Sequence, residues 1–271
     1  MFPMPIRSLL APVLLLAATA CREPPPPVAP PAAPPVAAAP ARPTGPVRWG
    51  DIEGRVRLTG TPPPAPVLAT SATVAHVCGD QAQDRSLVVG AEGALAHAVV
   101  SLQDGAGLPA PESPAPAPVL DQKQCSYEPP SLAARAGTEL VLRNSDPLVH
   151  NVRAQFGTNR SVFNVGMPLE GMTLRRPLPA TPGTVHIRCD VHPWMRAVVR
   201  TFDHPYFTTT ATDGRFRLRV PEGSHTLIFW HERLPARSQT VTVRAGETVK
   251  IDEAWDAAAF HQGAPGKEGP P

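Results

Sequence analysis

The chain has 271 residues, with 25 lysines and arginines against 23 aspartates and glutamates, and its formal net charge is +2. A balance this close to neutral, without a run of basic residues, argues against a nucleic-acid partner. Many of the 37 prolines fall in a tract that follows residue 21 and in "GAGLPAPESPAPAP" (105–118). The rest of the chain, roughly two hundred residues, is long enough for one large or two small hydrophobic cores.

The first twenty residues have the pattern of an export signal. Arg7 supplies a positive start, the apolar run "LLAPVLLLAATA" (9–20) follows, and small residues close the segment. The run is too short to span a bilayer and fits the apolar region of a signal peptide. We therefore predict a signal peptide at 1–20 and an exported mature chain in a bacterial periplasm or at an outer membrane.

The next segment, 21–47, is rich in proline and alanine. Proline fixes φ and removes N–H donors, so the segment is predicted to be an extended tether outside any core. The sequence "AATAC" fits two cleavages, because Ala18 and Ala20 suit an ordinary signal peptidase, whereas Cys21 resembles the lipidated cysteine of a bacterial lipoprotein. The tether favours a lipid anchor at Cys21, which is the only membrane attachment we expect.

Five later segments alternate apolar and polar residues between Gly, Pro, Asn or Asp. They are "GRVRLTG", "TELVLRNSD", "GTVHIRC", "GRFRLRV" and "QTVTVRAG". A period of two is typical of β-strands that bury one face, and no long segment has a helical period. We predict an all-β protein built from sandwiches. The final segment, 255–271, is predicted to be a disordered tail that holds one short helical turn at most.

The cysteines raise a pairing problem in an oxidising compartment. If Cys21 is lipidated or N-terminal, three cysteines remain, and one of them must be unpaired or bound to another group. Cys189 has soft metal ligands beside it, which favours a disulfide between Cys78 and Cys125 and a metal-bound Cys189. The alternative is that Cys189 pairs with one of these two and the other remains a free thiol, open to oxidation.

The segment "RCDVHPWMR" (188–196) places a thiol, an imidazole and a thioether at three-residue intervals, in Cys189, His192 and Met195. Type 1 copper centres use two His and one Cys with a long axial Met, because thiolate and thioether suit Cu(I) and imidazole also suits Cu(II). The second imidazole is predicted to come from His150, in the alternating segment "RNSDPLVHNVRAQF".

This ligand pattern resembles that of the cupredoxins, the blue copper proteins, over about residues 119–203. The resemblance implies a Greek-key cupredoxin β-sandwich that binds one type 1 copper ion through His150, Cys189, His192 and Met195. It also implies that the loop histidine, His192, reaches the surface through an apolar patch where a redox partner docks.

Three neighbours of the ligands are expected to support the centre from outside it. Asn151 is expected to hold the cysteine loop or the region of His150, and Pro193 to limit the freedom of the loop. Trp194 is expected to shield the metal from water and to contribute to docking. The Pro193–Trp194 pair also matches the Pro-aromatic pair that similar cupredoxins have inside this loop.

A second resemblance concerns "ATDGRFRLRVPEGSHTLIFWHERLPARSQTVTVRAGETVKID", which is similar to carboxypeptidase regulatory-like (transthyretin-like) domains. It implies a small β-sandwich module at 204–254, preceded by an N-terminal β segment at 48–118. The opening strand of such modules has its only match in "GDIEGRVRLTG" (50–60). Two arrangements remain open: residues 48–104 and 205–253 form one sandwich into which the copper domain is inserted, or the C-terminal module is separate.

Other candidate ligands are weaker. Met167 and Met172 are assigned to packing or to the rim of the site, and His204 is held as a reserve ligand. The remaining histidines, taken singly, are structural or surface groups. They are His76, His97, His186, His225, His231 and His261.

A centre with four protein ligands leaves no open position for a substrate, which favours electron transfer over catalysis. The sequence has neither the paired H-x-H motifs of multicopper oxidases nor the C-x-x-C-H motif of c-type haem attachment. We therefore expect a non-enzymatic carrier of single electrons whose partner is a cytochrome, an oxidase or a dehydrogenase. The alternative is a copper storage or assembly module of the cell envelope.

Overall fold

The computed structural model describes residues 46–111 and 115–260. The predicted signal peptide, Cys21, nearly all of the tether and His261 lie outside these residues. A membrane-spanning helix is not found among the described residues. The prediction of an all-β protein is confirmed, since strands account for most of the regular structure and the α-helix has a single turn.

The described chain contains nineteen strands and one α-helix. In chain order they are β1 (Trp49–Thr59), β2 (Val67–Ala69), α1 (Ala75–Cys78), β3 (Gln81–Gln83), β4 (Val99–Leu102), β5 (Val119–Lys123), β6 (Ser126–Glu128), β7 (Ser131–Arg135), β8 (Glu139–Asn144), β9 (His150–Phe156), β10 (Arg160–Met167), β11 (Thr173–Pro177), β12 (Gly183–Arg188), β13 (Arg196–Phe202), β14 (Phe207–Thr209), β15 (Arg215–Pro221), β16 (Gly223–His231), β17 (Leu234–Val243), β18 (Thr248–Lys250) and β19 (Glu253–Asp256).

The first sandwich is built from both ends of the described chain. One of its sheets has the order β15–β1–β18, with β19 also pairing β1, and the other has the order β14–β4–β16–β17. In β15 every second residue of "RFRLRV" is buried, so Phe216, Leu218 and Val220 face a core that is closed by the fully buried Trp255. The apolar residues of this alternating segment therefore face the core and the polar ones face outward, as the sequence predicted.

Strand β1 joins the N-terminal and C-terminal parts of this sandwich. It pairs antiparallel with β15 and parallel with β18 and β19, so residues near 50 share a sheet with residues near 220 and 250. Gly54 lies where the parallel partner changes from β18 to β19, and a Cβ atom there would collide with the carbonyl oxygen of Ile251. The segments that flank residues 119–203 therefore share a sheet, and insertion of a copper domain between them stays a prediction. The similarity to regulatory-like domains remains a prediction.

The second sandwich lies between these segments in the chain. Its sheets have the orders β10–β9–β12–β13–β7 and β11–β8–β5–β6. The core between them includes Leu120, Leu140, Val152 and Ile187, all nearly or fully buried. Cys189 and Met195 belong to the same core, which places the predicted copper loop at the edge of a packed interior.

A short hairpin leaves the first sandwich after β1. Strands β2 and β3 pair only with each other, and α1 forms the turn of the hairpin between them. We call the segment Val67–Gln83 the strap.

The C-terminal boundary differs from the prediction. The sequence assigned the residues from 255 onward to a disordered tail, but β19 contains Trp255, whose indole N–H donates to the carbonyl of Pro235 at 2.8 Å. A short 3-10 turn, Ala257–Ala259, follows. Burial of the large indole ring in the core fixes this segment, whereas the four residues of β19 are too few to show an alternating pattern.

Candidate metal centre

Neighbouring strands bring the predicted ligands together. Strand β9 begins at His150, and β12 ends at Arg188, directly before Cys189. The two strands are antiparallel partners, with Arg153 opposite Arg188, so the start of β9 lies beside the loop that follows β12. That loop carries Cys189, His192 and Met195 before β13 begins.

Two backbone hydrogen bonds fold the loop back on itself. The N–H of Met195 donates to the carbonyl of His192 at 2.9 Å, and the N–H of Cys189 donates to the carbonyl of Met195 at 3.3 Å. These bonds close the loop tightly enough for its donors to face one point. Pro193 lies exposed at the tip of the loop, where its ring limits the backbone without blocking either bond.

Three donor atoms converge in a buried space. The Nδ1 atoms of His150 and His192 lie 2.9 Å apart, and the Sγ of Cys189 lies 3.8 Å from the Nδ1 of His192. One donor from each of the three residues lies within 4.8 Å of the others. The exposed fractions are 0%, 3% and 3% for His150, Cys189 and His192, and Met195 is 1% exposed in the same core cluster. The structure thus groups three predicted ligands directly and places the fourth, Met195, in the loop that carries Cys189 and His192.

Asp146 orients His150. The Oδ2 of Asp146 lies 2.9 Å from the Nε2 of His150, so an Nε2–H that donates to this carboxylate leaves Nδ1 available to a metal. The carboxylate also accepts the backbone N–H groups of Gln124 at 2.7 Å and Cys125 at 2.8 Å. Burial alone would raise the pKa of Asp146, but these hydrogen bonds lower it below its ordinary value. Burial likewise tends to lower the pKa of His150, and the Asp146 and Cys189 interactions raise it.

The Cys189 thiol is acidic for a buried cysteine. Burial by itself raises its pKa, yet hydrogen bonds from the His150 and His192 side chains and from nearby backbone bring the pKa down to about 6. Thiolate is the form of cysteine that binds metals. Cys189 therefore presents a soft anionic donor near neutral pH.

Asn151 ties the two halves of the site together. Its Oδ1 accepts the backbone N–H of Asp190 at 2.6 Å and lies 3.4 Å from the Sγ of Cys189. Its Nδ2 donates to the carboxylate of Asp190 and to the Oδ1 of Asn164, both at 2.9 Å. Its backbone carbonyl accepts the hydroxyl of Tyr127 at 2.6 Å. These contacts hold the cysteine loop against the first residues of β9, which is the kind of support expected for Asn151.

His192 is covered, which corrects one expectation. The resemblance implied that this histidine reaches the surface, but only 3% of its surface is exposed. The ring of Trp194 lies beside it at 5.2 Å between centroids, and the indole N–H donates to the carbonyl of Cys125 at 3.0 Å. On this face the strap supplies Cys78, which is joined to Cys125 in a disulfide.

The disulfide lies next to the candidate ligands. Donor atoms of Cys78, Cys125 and His192 all lie within 4.8 Å of one another. Cys125 follows Gln124 in the turn between β5 and β6, where both residues have positive φ and direct their N–H groups at Asp146. Cys189 is the free cysteine of the described chain, and it is buried.

The weaker candidates lie in other environments. Met167 is fully buried, and its Sδ accepts a hydrogen bond from the Nε2 of Gln122 at 3.0 Å. Met172 is partly buried and packs against the same core. His204 accepts the N–H of Tyr206 at 3.2 Å and packs against Phe202. These partners are not among the predicted ligands, so nothing in the described part of the chain supports a role for His204 at the centre.

Several supporting residues were missed at the sequence level. Asp146 lies four positions before His150, and this spacing is the only signal that could have pointed to it. The carboxylate of Asp190, held also by Arg153 at 3.1 Å, and the side chain of Asn164 gave no signal. The proximity of the disulfide to His192 was likewise not predicted.

The donor set fits copper. A cysteine thiolate, two imidazole nitrogens and a thioether match the ligand types of a type 1 copper centre. Asp146 lies nearby, but its carboxylate oxygens are already occupied by His150 and by two backbone N–H groups.

Comparisons with known proteins give limited similarity. No protein-family model matches the chain, and a search of curated proteins found no match. Among solved structures, the chain is similar to amicyanin from Paracoccus versutus, at 21% identity over 38% of this chain and 97% of that protein, with a TM-score of 0.29. It is also similar to a purple cupredoxin from Nitrosopumilus maritimus, at 21% identity over 31% of this chain and 99% of that protein, with a TM-score of 0.27. These similarities cover less than two fifths of the chain, so the function proposed below rests on the geometry of the site.

Proposed function

We propose that this chain is an exported copper protein that carries single electrons. The observation that supports it best is the convergence of the His150 Nδ1, His192 Nδ1 and Cys189 Sγ atoms in one buried space beside Met195. Each of these donor types suits copper in one or both of its oxidation states.

The surrounding residues prepare the site for one geometry. Asp146 fixes the ring of His150 through Nε2, and Asn151 holds the backbone of the cysteine loop. A ligand set whose positions are fixed by the fold changes little when the metal gains or loses one electron. Bound copper would supply that one-electron couple, and the protein would keep water away from it by burying the ligands.

Four protein ligands would fill the coordination of the ion. A substrate would find no open position, because the site lies in a packed core. This arrangement suits electron transfer better than catalysis. The proposed partner is a redox protein such as a cytochrome, an oxidase or a dehydrogenase, which would meet the chain outside the cytoplasm. We further propose that Cys21 anchors the chain to a membrane through a lipid.

Exposed apolar side chains beside the site suit such a partner. Val149 and Val191 each precede a site histidine in the sequence and are 53% and 54% exposed, and Leu169, two residues after Met167, is 67% exposed. Isolated exposed apolar residues are common, but three of them near one buried centre suit a docking surface that a partner can leave quickly.

A second candidate function is copper storage or delivery. Trp194 and the disulfide cover His192, and this cover supports the second function, because a covered ligand slows the exchange of electrons with a docked protein. The two functions differ in their kinetics. A carrier cycles its electron while keeping the ion, whereas a delivery protein transfers the ion to an acceptor.

One experiment tests the proposal directly. The mature chain is purified without metal and titrated with Cu(II) while its visible absorption and electron paramagnetic resonance are recorded. We expect one equivalent of copper to produce an intense thiolate-to-copper band in the visible range and to bleach on reduction by ascorbate. A titration that gives only the weak absorption of oxygen- and nitrogen-bound Cu(II) contradicts the proposed centre.

A further inference from the structure

The strap is a nearly independent hairpin. Its strands pair only with each other, and the backbone hydrogen bonds recorded for Val67–Gln83 all end within 66–84. Its recorded side-chain hydrogen bonds, from Thr70 to Gly79 and between Ser71 and Thr73, are also internal. The strap can therefore move as a unit while these hydrogen bonds stay intact.

Few contacts hold the strap on the second sandwich. The covalent contact is the disulfide from Cys78 to Cys125. Val77 adds a partly buried apolar contact with the core, and just beyond the strap Arg85 forms an ion pair with Glu128. α1 has no buried residue, so little apolar area opposes its release once the disulfide is broken.

The disulfide covers a candidate ligand. The sulfurs of Cys78 and Cys125 and a ring nitrogen of His192 lie within 4.8 Å of one another, while only 3% of His192 is exposed. Trp194 adds to this cover through its hydrogen bond to the carbonyl of Cys125. The group that closes this face of the site is therefore a reducible bond.

We propose that the Cys78–Cys125 disulfide is a thiol-exchange site for a protein dithiol, and that its reduction releases the strap from His192. The covering of His192 is independent of any metal. Release of the strap would also let copper exchange faster through the opened face, and this consequence rests on the proposed function.

The exchange balances without any group beyond the dithiol. Cys78 is partly exposed, whereas Cys125 is 1% exposed, so the entering thiolate attacks the sulfur of Cys78 and Cys125 leaves as a thiolate. The second thiol of the partner then displaces Cys78 and completes the partner's own disulfide. Two electrons and two protons end on Cys78 and Cys125, and the partner is oxidised by the same two electrons.

The first test uses metal-free protein. Samples with the disulfide intact, or reduced by dithiothreitol that is then removed without oxygen, are treated with diethyl pyrocarbonate, and each histidine is followed by peptide mass spectrometry. We expect labelling of His192 to accelerate about tenfold or more on reduction, because opening of the strap limits access. His76, which is exposed on the strap, should react equally in both samples.

Buried histidines separate release of the strap from unfolding. His231 is 3% exposed in β16 of the first sandwich, and His204 is 5% exposed and packs against Phe202 of β13 in the second sandwich. If reduction accelerates labelling at these positions as much as at His192, the protein has unfolded and the proposal is wrong. Unchanged labelling of His192 after complete reduction also overturns it.

The second test follows copper. Wild-type protein and the Cys78→Ser, Cys125→Ser double variant are loaded with copper and reduced with ascorbate, and transfer of Cu(I) to bicinchoninate is timed. We expect transfer from the variant to be about tenfold faster or more, since its strap has no covalent tether. If the wild type and the variant carry equal amounts of copper and transfer Cu(I) at equal rates, the disulfide does not control the exchange of copper. Failure of both proteins to develop the visible band contradicts the proposed function instead, and the labelling test still decides whether the strap is released.

Discussion

The Nδ1 atoms of His150 and His192 lie 2.9 Å apart although 42 positions separate the two residues in the chain. Two imidazole nitrogens at this distance inside a core share either one proton or one cation. The Sγ of Cys189 lies 3.8 Å from one of them, so the same space can hold a soft metal ion.

Replacing the thiolate is expected to remove the visible copper band. Cys189→Ser keeps nearly the same volume, but a hydroxyl is a poor ligand for copper, so the absorption produced by Cu(II) should be lost while far-ultraviolet circular dichroism is unchanged. Met172→Leu, which changes a thioether at the edge of the core, is the matched control and should keep the band. A Cys189→Ser protein that still turns blue would place the copper elsewhere.

Asp146→Asn is expected to weaken copper binding. The amide keeps the size of the side chain but loses the charge that holds the Nε2–H of His150 and two backbone N–H groups. Loss of such a partner lowers metal affinity by about 10- to 100-fold, measured here by competition with a chelator. Asp213→Asn, in an exposed turn, is the control. An unchanged affinity in Asp146→Asn would show that His150 needs no partner at Nε2.

Removing the disulfide is expected to destabilise the protein. The bond spans 47 positions, and the chain-entropy account gives up to about 4 kcal/mol for closing such a loop. Urea unfolding of wild-type protein and of the Cys78→Ser, Cys125→Ser variant measures the difference. Peptide mapping under non-reducing conditions checks the pairing independently, and recovery of a peptide that joins Cys125 to Cys189 would contradict both the disulfide and the copper centre.

A charge on the apolar surface is expected to slow electron exchange without changing the site. Val191→Lys puts a cation on an exposed side chain next to His192, so the rate constant for reaction with a soluble c-type cytochrome should fall about tenfold, while the visible spectrum stays the same. Val67→Lys, on the exposed β2 strand of the strap, is the control. An equal loss of rate in the control would move the docking surface to the strap.

Glu232→Gln is expected to change how stability depends on pH. Burial raises the pKa of Glu232 from 4.5 to about 7, with Asp84 adding to the rise and Arg233 and Arg196 opposing it. The folded chain therefore keeps a proton that the unfolded chain releases in this range, and its free energy of unfolding falls as pH rises from about 4.5 to 7. At pH 8 the variant should be more stable than wild type by up to about 3 kcal/mol, with little difference at pH 4.

Urea unfolding at several pH values measures this difference. Glu170→Gln changes an exposed glutamate and is the matched control, so its stability should follow that of the wild type throughout. Parallel curves for the wild type and Glu232→Gln would show that Glu232 titrates alike in the folded and unfolded chains.

The sequence predicted the parts of the site that depend on local spacing. Cys189, His192 and Met195 lie in one short loop, and alternation in "GTVHIRC" was enough to place a strand before it. The strand after the loop, β13, was not among the predicted segments. The approach of His150 to this loop followed from a family resemblance, and the structure now shows it as a contact between neighbouring strands.

Contacts that depend on distant register could not be predicted. The cover over His192 depends partly on where the strap lies, and the strap is tied by a disulfide from Cys78 to Cys125 in the turn between β5 and β6 of the second sandwich. Trp255 was assigned to the tail because its short strand has little pattern of its own, and its place in the core depends on pairing with β1. In both cases the deciding partner lies far away in the chain.

The pairing of β1 with the last strands has a consequence for the order of folding. Asp51 meets Arg217, 166 positions later, so the first sandwich cannot close until nearly the whole chain is available. Contacts between such distant residues form slowly, because the intervening chain must first be brought together. The second sandwich needs only strands from the middle of the chain and can assemble earlier, which shortens the distance β1 must search. During that interval β1 is an unpaired strand with exposed edges, and it is the segment most in need of protection from aggregation as the chain emerges.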